Sequence, residues 1–187
     1  MTGESLGGYT AVTYCLPDQK DQATDVDGIY LQCPLFSVSP ESNRHPVIVT
    51  VAKVLCFFMG RFPLPATKLV STRDEKIQEA YDTDPRTYHG GLRIATGFAL
   101  LEGLQAIQAQ ASQFDTPFRI IHGDADRVCS HLGSIAFVEQ AASVDKGVKI
   151  LPGREHILFK IGENEEEDGP RQEVFNDRDA WLLERIK

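Results

Sequence analysis

Six residues at the start of the chain, Gly3-Glu4-Ser5-Leu6-Gly7-Gly8, set the strictest condition on its fold. They fit the pattern G-x-S-x-G, a sharp strand-to-helix turn that strains the backbone of its central serine and pushes the hydroxyl outward. The glycines answer a steric demand, because side chains two residues either side of the serine would collide. Gly8 is small enough to let the helix expected next, Tyr9–Leu16, lie close against a sheet. On its own the hexapeptide fits a flexible Gly/Ser-containing N-terminus equally well, so the rest of the chain must decide.

Downstream, short apolar runs alternate with helical patterns. Gly28–Cys33 reads as a buried parallel strand ending at Pro34. Pro46–Met59 is long enough for a helix with proline in its first turn, but too short to cross a membrane, and Lys53 interrupts it. It reads as a core helix or as a cap over a site, and the irregular Gly60–Ala66 after it favours the cap. A short exposed helix is expected over Ser71–Ala80 and a long one from Leu92 to about Gln113, where Gly97 and Gly103 mark close packing or pocket lining. Strand Phe118–Ile121, helix Leu132–Ala142 and strand Val148–Leu151 follow. After an acidic loop, Glu163–Asp168, comes a closing helix, Phe175–Ile186, around Trp181 and Leu182. This order predicts a single α/β domain over 1–187, a parallel sheet with flanking helices and a cap-like insertion at about 37–91. In such sheets chemistry gathers beyond the C-terminal ends of the strands.

Charge and cysteine usage narrow the function. A formal net charge of −8 over 187 residues excludes non-specific binding to nucleic acid or anionic lipid, both of which need a positive surface. The four cysteines, Cys15, Cys33, Cys56 and Cys129, form no C-x-x-C pair. That spacing suits reduced thiols in a cytoplasmic protein rather than zinc or a disulfide scaffold. No signal peptide is expected ahead of Gly3.

Ser5, Asp126 and His156 all fall at or just beyond predicted strand ends, in the order nucleophile, acid, base. A serine hydroxyl needs a base to take its proton, a histidine can do so near neutrality, and a buried carboxylate fixes the histidine tautomer. The backbone N–H of Leu6, next after the serine, is the expected oxyanion donor. Asp124 is the rival acid, with a turn-capping role as its alternative. His122 reads as a satisfied strand-end histidine and His131 as a surface residue at a helix start. His45 and His89 have no metal-ligand spacing. Cys129 lines the pocket or is an inert thiol. No metal is expected, and no cofactor, because a triad needs none.

Taken together, Gly3–Gly8, Asp84-Pro85 with Tyr88 and Gly90-Gly91-Leu92, His122-Gly123-Asp124-Ala125-Asp126-Arg127 and Gly153-Arg154-Glu155-His156 resemble the monoacylglycerol lipase-like α/β-hydrolases, which are grouped with lysophospholipases and the serine aminopeptidase S33-like hydrolases. The resemblance runs through nearly the whole chain. It implies a triad at Ser5, Asp126 and His156 and hydrolysis of a single-chain acyl ester, monoacylglycerol or lysophospholipid, through an acyl-enzyme. It further implies a small-molecule lipid substrate and a cap, Pro46–Met59, that makes peripheral membrane contact. It also implies about five strands before the elbow and a His-Gly loop supplying a second oxyanion N–H. With Met1-Thr2 alone before Gly3, the expectation is the C-terminal part of such a fold with the first strands absent. The Gly28–Cys33 strand would then be an exposed apolar edge, Ser5 would have no strand to hold it, and the missing oxyanion donor would cost ~10²–10³ in rate. Two functions follow: a serine hydrolase of carboxylic esters, or an inactive truncated fragment or interaction module derived from one. Transfer to an alcohol in place of water stays open. An aminopeptidase has no acidic amine site to point to.

Overall fold

Ile29–Gln32 is buried at every position and Phe118–Gly123 at nearly every one, as strands covered on both faces must be. They form the middle of the sheet in this computed structural model, which describes residues 1–17, 26–38, 59–63, 72–160 and 165–185. The described elements run β1 (Thr2–Glu4), α1 (Leu6–Tyr14), β2 (Ile29–Gln32), α2 (Glu75–Thr83), α3 (Ile94–Gln110, extended by a tight turn Ala111–Gln113), β3 (Phe118–Gly123), α4 (His131–Gln140), β4 (Lys146–Leu151) and α5 (Glu165–Leu183). The strands form one four-stranded sheet in the order β1-β2-β3-β4, every pair parallel.

Side-chain alternation along the strands divides the core in two. Ile29, Leu31, Phe118 and Ile120 pack with Ala11 and Val12 of α1, Ile107 of α3, Phe114, and Phe137 of α4. Tyr30 and Ile121 pack on the other face with Leu151, Leu158, and Val174 and Trp181 of α5. Each fully buried large side chain contributes ~1.5–3 kcal/mol, so both faces are closed by helices that sit directly over the site's strands.

Three expectations change. Thr2–Glu4 forms a strand paired to β2 in register Thr2↔Tyr30, so Ser5 is held by a strand, and among the described residues β1 rather than β2 is the outermost strand on that side. The first helix begins at Leu6, directly after Ser5, because Gly8 and Tyr9 N–H groups already bond to the Ser5 carbonyl at 3.0 and 3.2 Å. The closing helix begins at Glu165, so part of the expected acidic loop is helical. Acidic residues suit a helix N-terminus, whose dipole favours negative charge, and burial of Val174 and Trp181 outweighs the bond lost at Pro170. The cap segment Pro46–Met59 lies outside the described residues except for Met59. Of the 37–91 insertion, the described parts include α2 and a bridge between Pro63 and Arg93.

Candidate active site

Ser5 adopts φ 51° and ψ −119°, a left-handed conformation unusual for a residue with a side chain. Four backbone bonds hold it there: Ser5 N–H donates to Gln32 O (3.0 Å), and Ser5 O accepts from Gly8, Tyr9 and Leu35 N–H. Gly3 and Gly8 are needed for space, whereas a Cβ on Gly7, two residues after the serine and expected to collide, would meet nothing within 4 Å. A Cβ on Gly3 would lie 2.6 Å from the Gly7 carbonyl oxygen, and one on Gly8 would lie 2.8 Å from Pro34 Cβ. The Leu6 N–H belongs to the first turn of α1, where amides have no helical carbonyl to meet.

The turns after β3 and β4 are laced together. Asp124 N–H donates to Leu151 O, Ala125 N–H to Arg154 O, and Gly153 N–H to the Asp124 carboxylate at 2.6 Å. Any side chain at position 123 would collide with the Arg154 backbone, so the glycine lets the two turns meet. This lacing carries Asp126 to His156. His156 Nδ1–H donates to Asp126 Oδ2 at 2.8 Å, and both residues are buried. Asp126 Oδ1 accepts the backbone N–H groups of Val128 (2.7 Å) and Cys129 (2.9 Å). Burial alone would push the Asp126 carboxyl up. The hydrogen bonds from His122 and His156, with the charge of His156 and the Cys129 amide, outweigh it and hold the group far below the usual carboxylate range.

All three expected residues therefore stand past the C-terminal ends of strands of the one sheet, Ser5 after β1, Asp126 after β3 and His156 after β4. Asp126 and His156 are joined directly. The Ser5 hydroxyl is not bonded to the His156 ring; its neighbour among the described residues is Cys129 Sγ, at 4.0 Å. Catalytic contacts that are open in a free enzyme often tighten only around substrate. Asp124, the rival acid, is exposed and clamps the β4 turn instead. His89 is exposed and bonds within its own turn, to Thr87 Oγ1 and the Asp84 carbonyl. Burial pushes the Cys129 thiol up to about 12, which keeps it protonated and a poor nucleophile at neutral pH.

Two contacts were not legible in the sequence. Cys33, fully buried at φ 39°, brings its sulfur within 4.8 Å of the Asp126 and His156 donor atoms. Such a trio is a conceivable metal set, but it would have to contract to bond lengths of ~2.0–2.3 Å around a carboxylate whose two oxygens are already engaged. It reads as an acid–base cluster. Glu155 binds Thr72 Oγ1 (3.0 Å) and Arg73 N–H (2.8 Å), tying the His156 loop to the segment that leads into α2. Both contacts depend on residues far apart in sequence, and no spacing rule signals them.

Comparison with known proteins gives three consistent findings. The family model for serine aminopeptidase, S33 matches residues 1–165. The chain is similar to human monoglyceride lipase, at 28% identity over 99% of this chain and 58% of that protein. It is also similar to the monoacylglycerol lipase of Mycolicibacterium smegmatis, at 32% identity over 79% of this chain and 52% of that protein. The chain thus spans little more than half the length of the curated relatives it matches. A soluble variant of the Saccharomyces cerevisiae monoglyceride lipase, solved with a substrate analog, superposes with a TM-score of 0.83 at 23% identity, covering 100% of this chain and 62% of that one. That likeness establishes the α/β-hydrolase fold.

Proposed function

The chain belongs to the serine aminopeptidase S33 family, and from that premise we propose that it carries the catalytic residues of a serine hydrolase of carboxylic esters. The observation that supports this most is the buried 2.8 Å contact between His156 Nδ1 and Asp126 Oδ2, at the same end of the sheet as the strained Ser5. Ser5 Oγ attacks the acyl carbon while His156 Nε2 takes its proton, and Asp126 stabilises the imidazolium that forms. The Leu6 N–H donates to the oxyanion. His156 returns the proton to the departing alcohol, and water then cleaves the acyl-enzyme by the same proton path.

The substrate class follows from the relatives, named as monoglyceride and monoacylglycerol lipases: a lipid ester with one acyl chain, monoacylglycerol ahead of lysophospholipid. Phe62 and Leu92 flank the Pro63–Arg93 bridge with 58% and 46% of their surfaces exposed, and apolar groups so placed suit contact with a lipid surface. The cap-like insertion at about 37–91 would guide the acyl chain inward. Among the described residues no helix is long and apolar enough to cross a membrane.

The test is labelling of the purified chain with a fluorophosphonate probe. Labelling that disappears in Ser5→Ala is expected; labelling that persists in that variant, or is absent from the parent chain, overturns the proposal. Rates on monoacylglycerol, lysophospholipid and short aryl esters then rank the substrates, and a preference for the short esters would remove the lipid assignment.

A further inference from the structure

Asp126 holds two imidazoles, not one. His122 Nε2 lies 3.2 Å from Asp126 Oδ2, the same oxygen that accepts from His156, and 3.3 Å from the Cys129 carbonyl oxygen. On its other side His122 Nδ1 lies 2.8 Å from Ser134 Oγ. His122 and Ser134 are both fully buried. An ionised carboxylate and a backbone carbonyl only accept, so Nε2 must carry the proton. In the neutral ring Nδ1 is then the acceptor, and the Ser134 hydroxyl donates to it. The chain of donors runs Ser134 to His122 to Asp126, with His156 donating to the same carboxylate oxygen.

We propose that His122, fixed by Ser134, is a positioning residue: it donates a second imidazole N–H to Asp126 Oδ2, locks that carboxylate in one orientation, and divides its charge between two rings. The inference rests on the triad reading above. Its parts sit on rigid elements, His122 on β3 and Ser134 on α4, whereas His156 stands on a loop. His122 therefore supplies a fixed reference to which the His156 loop docks. Among the described residues, the other titratable groups near this cluster are Cys33 just past β2, Cys129 in the Asp126 loop, and His131 at the start of α4, its ring 6.4 Å from that of His122. Cys33 and Cys129 are thiols pushed upward by burial, so they stay neutral; the Cys33 S–H is a further, weak donor toward Asp126, present in the parent and in the variants alike.

Loss of the His122 donor concentrates the Asp126 charge on His156. The acid limb of the reaction then moves to higher pH by ~0.5–1 unit, the size expected for one of several hydrogen bonds to a carboxylate. KM is expected to hold, because His122 is walled off from any substrate, while kcat falls as Asp126 loses its fixed orientation.

The experiment has two arms on the full chain. Nitrogen-15 histidine NMR of the parent reads the tautomer directly: a neutral Nε2–H ring for His122 is expected, and an Nδ1–H ring or an imidazolium at neutral pH overturns the proposal even if no variant folds. The pH dependence of Ser5 phosphonylation and ester turnover is then compared in the parent, His122→Leu and His122→Gln. The Leu variant should show the upward limb and a lower kcat, and Gln, which keeps an N–H donor, should restore both. A Leu profile that superposes on the parent, or a Gln variant as impaired as Leu, overturns it. A parent chain with no Ser5 labelling defeats the hydrolase reading instead. In that case the His156 Nδ1–H resonance decides the clamp: a shift in His122→Leu supports it, and no shift overturns it.

Discussion

Ser5 holds a strained backbone conformation that the proposed chemistry would use. At φ 51° its side chain crowds the backbone, yet four backbone hydrogen bonds keep it in place. Conformations of this kind cost ~1–3 kcal/mol, and glycine escapes most of that penalty. Ser5→Gly keeps every backbone bond, so the variant should be more stable by ~0.5–2 kcal/mol after the extra freedom of unfolded glycine is subtracted. Urea denaturation measures this, and a loss of stability would mean that the turn is relaxed. Probe labelling should vanish in the same variant. Asp126 works in the opposite direction, stabilising the fold it serves. Its carboxyl lies far below the usual range when folded, so it contributes stability above the unfolded value of ~3.9 that is lost as pH falls through the folded value. Asp126→Asn should therefore be less stable than the parent at pH 7, with the gap narrowing as the solution is acidified below ~4. Its esterase rate should fall on the order of 10⁴ through the wrong histidine tautomer. A stability gap that stays constant from pH 7 to pH 3 would contradict the linkage.

Among the elements, α5 is joined to the sheet by polar contacts, including an ion pair of Glu173 with Lys149 on β4 (2.8 Å), and by an apolar junction. Asp177 accepts from Arg119 Nη2 (2.7 Å) and Nε (3.2 Å) on β3 and from the Tyr30 hydroxyl (3.0 Å) on β2. Burial raises the Asp177 carboxyl, but these bonds and the nearby cations bring it below its ordinary value. Its stabilising effect is thus present above ~pH 4 and lost on acidification. Asp177→Asn should cost ~1–2 kcal/mol at pH 7, with the gap narrowing as pH falls below ~4, read from thermal melts across pH. At the apolar junction Trp181 packs against Tyr30, with ring centroids 6.1 Å apart, and touches the position of Gly28, where a Cβ would lie 2.7 Å from its ring. Trp181→Ala should cost ~3–5 kcal/mol. The sequence reveals this helix only in part: Trp181 and Leu182 announce its last turns, while Gly169-Pro170 reads as a break that tertiary packing overrides. β2, β3, β4 and helices α3 and α4 are legible because apolar runs of strand or helix length leave their mark on the pattern. Asp126 and His156 are legible because each follows a strand end. The second imidazole on Asp126 is not legible, since Ser134 and the Cys129 carbonyl reach His122 only once α4 has folded over β3.

For the molecule as a whole, the first three residues have an effect out of proportion to their number. With strand order following chain order, β1 is one edge of the sheet, three residues long, and among the described residues nothing pairs with its outer side. A short, partly exposed edge strand is a modest hazard, whereas β2 beneath it is buried at all four positions. Met1 is tied in at both ends, its ammonium donating to Gly28 O (2.9 Å) and its carbonyl accepting from Tyr30 N–H (3.0 Å). The same short strand delivers Ser5 to the turn. Deleting residues 1–3 should therefore do two things at once. It bares Ile29–Gln32 as an apolar edge open to pairing with other copies, and it leaves the serine turn without the strand that aims it. Light scattering coupled to size exclusion should show concentration-dependent self-association of the deleted chain beyond that of the parent, and the rate of Ser5 phosphonylation should collapse. The two effects separate the causes. If labelling fails while the chain elutes like the parent, β1 serves the turn alone. If self-association appears while labelling survives, Gln32 O and Leu35 N–H suffice to hold Ser5 and the strand serves only to cover β2. If neither changes, β1 does not hold the site, and the strain at Ser5 is imposed entirely by α1 and the end of β2.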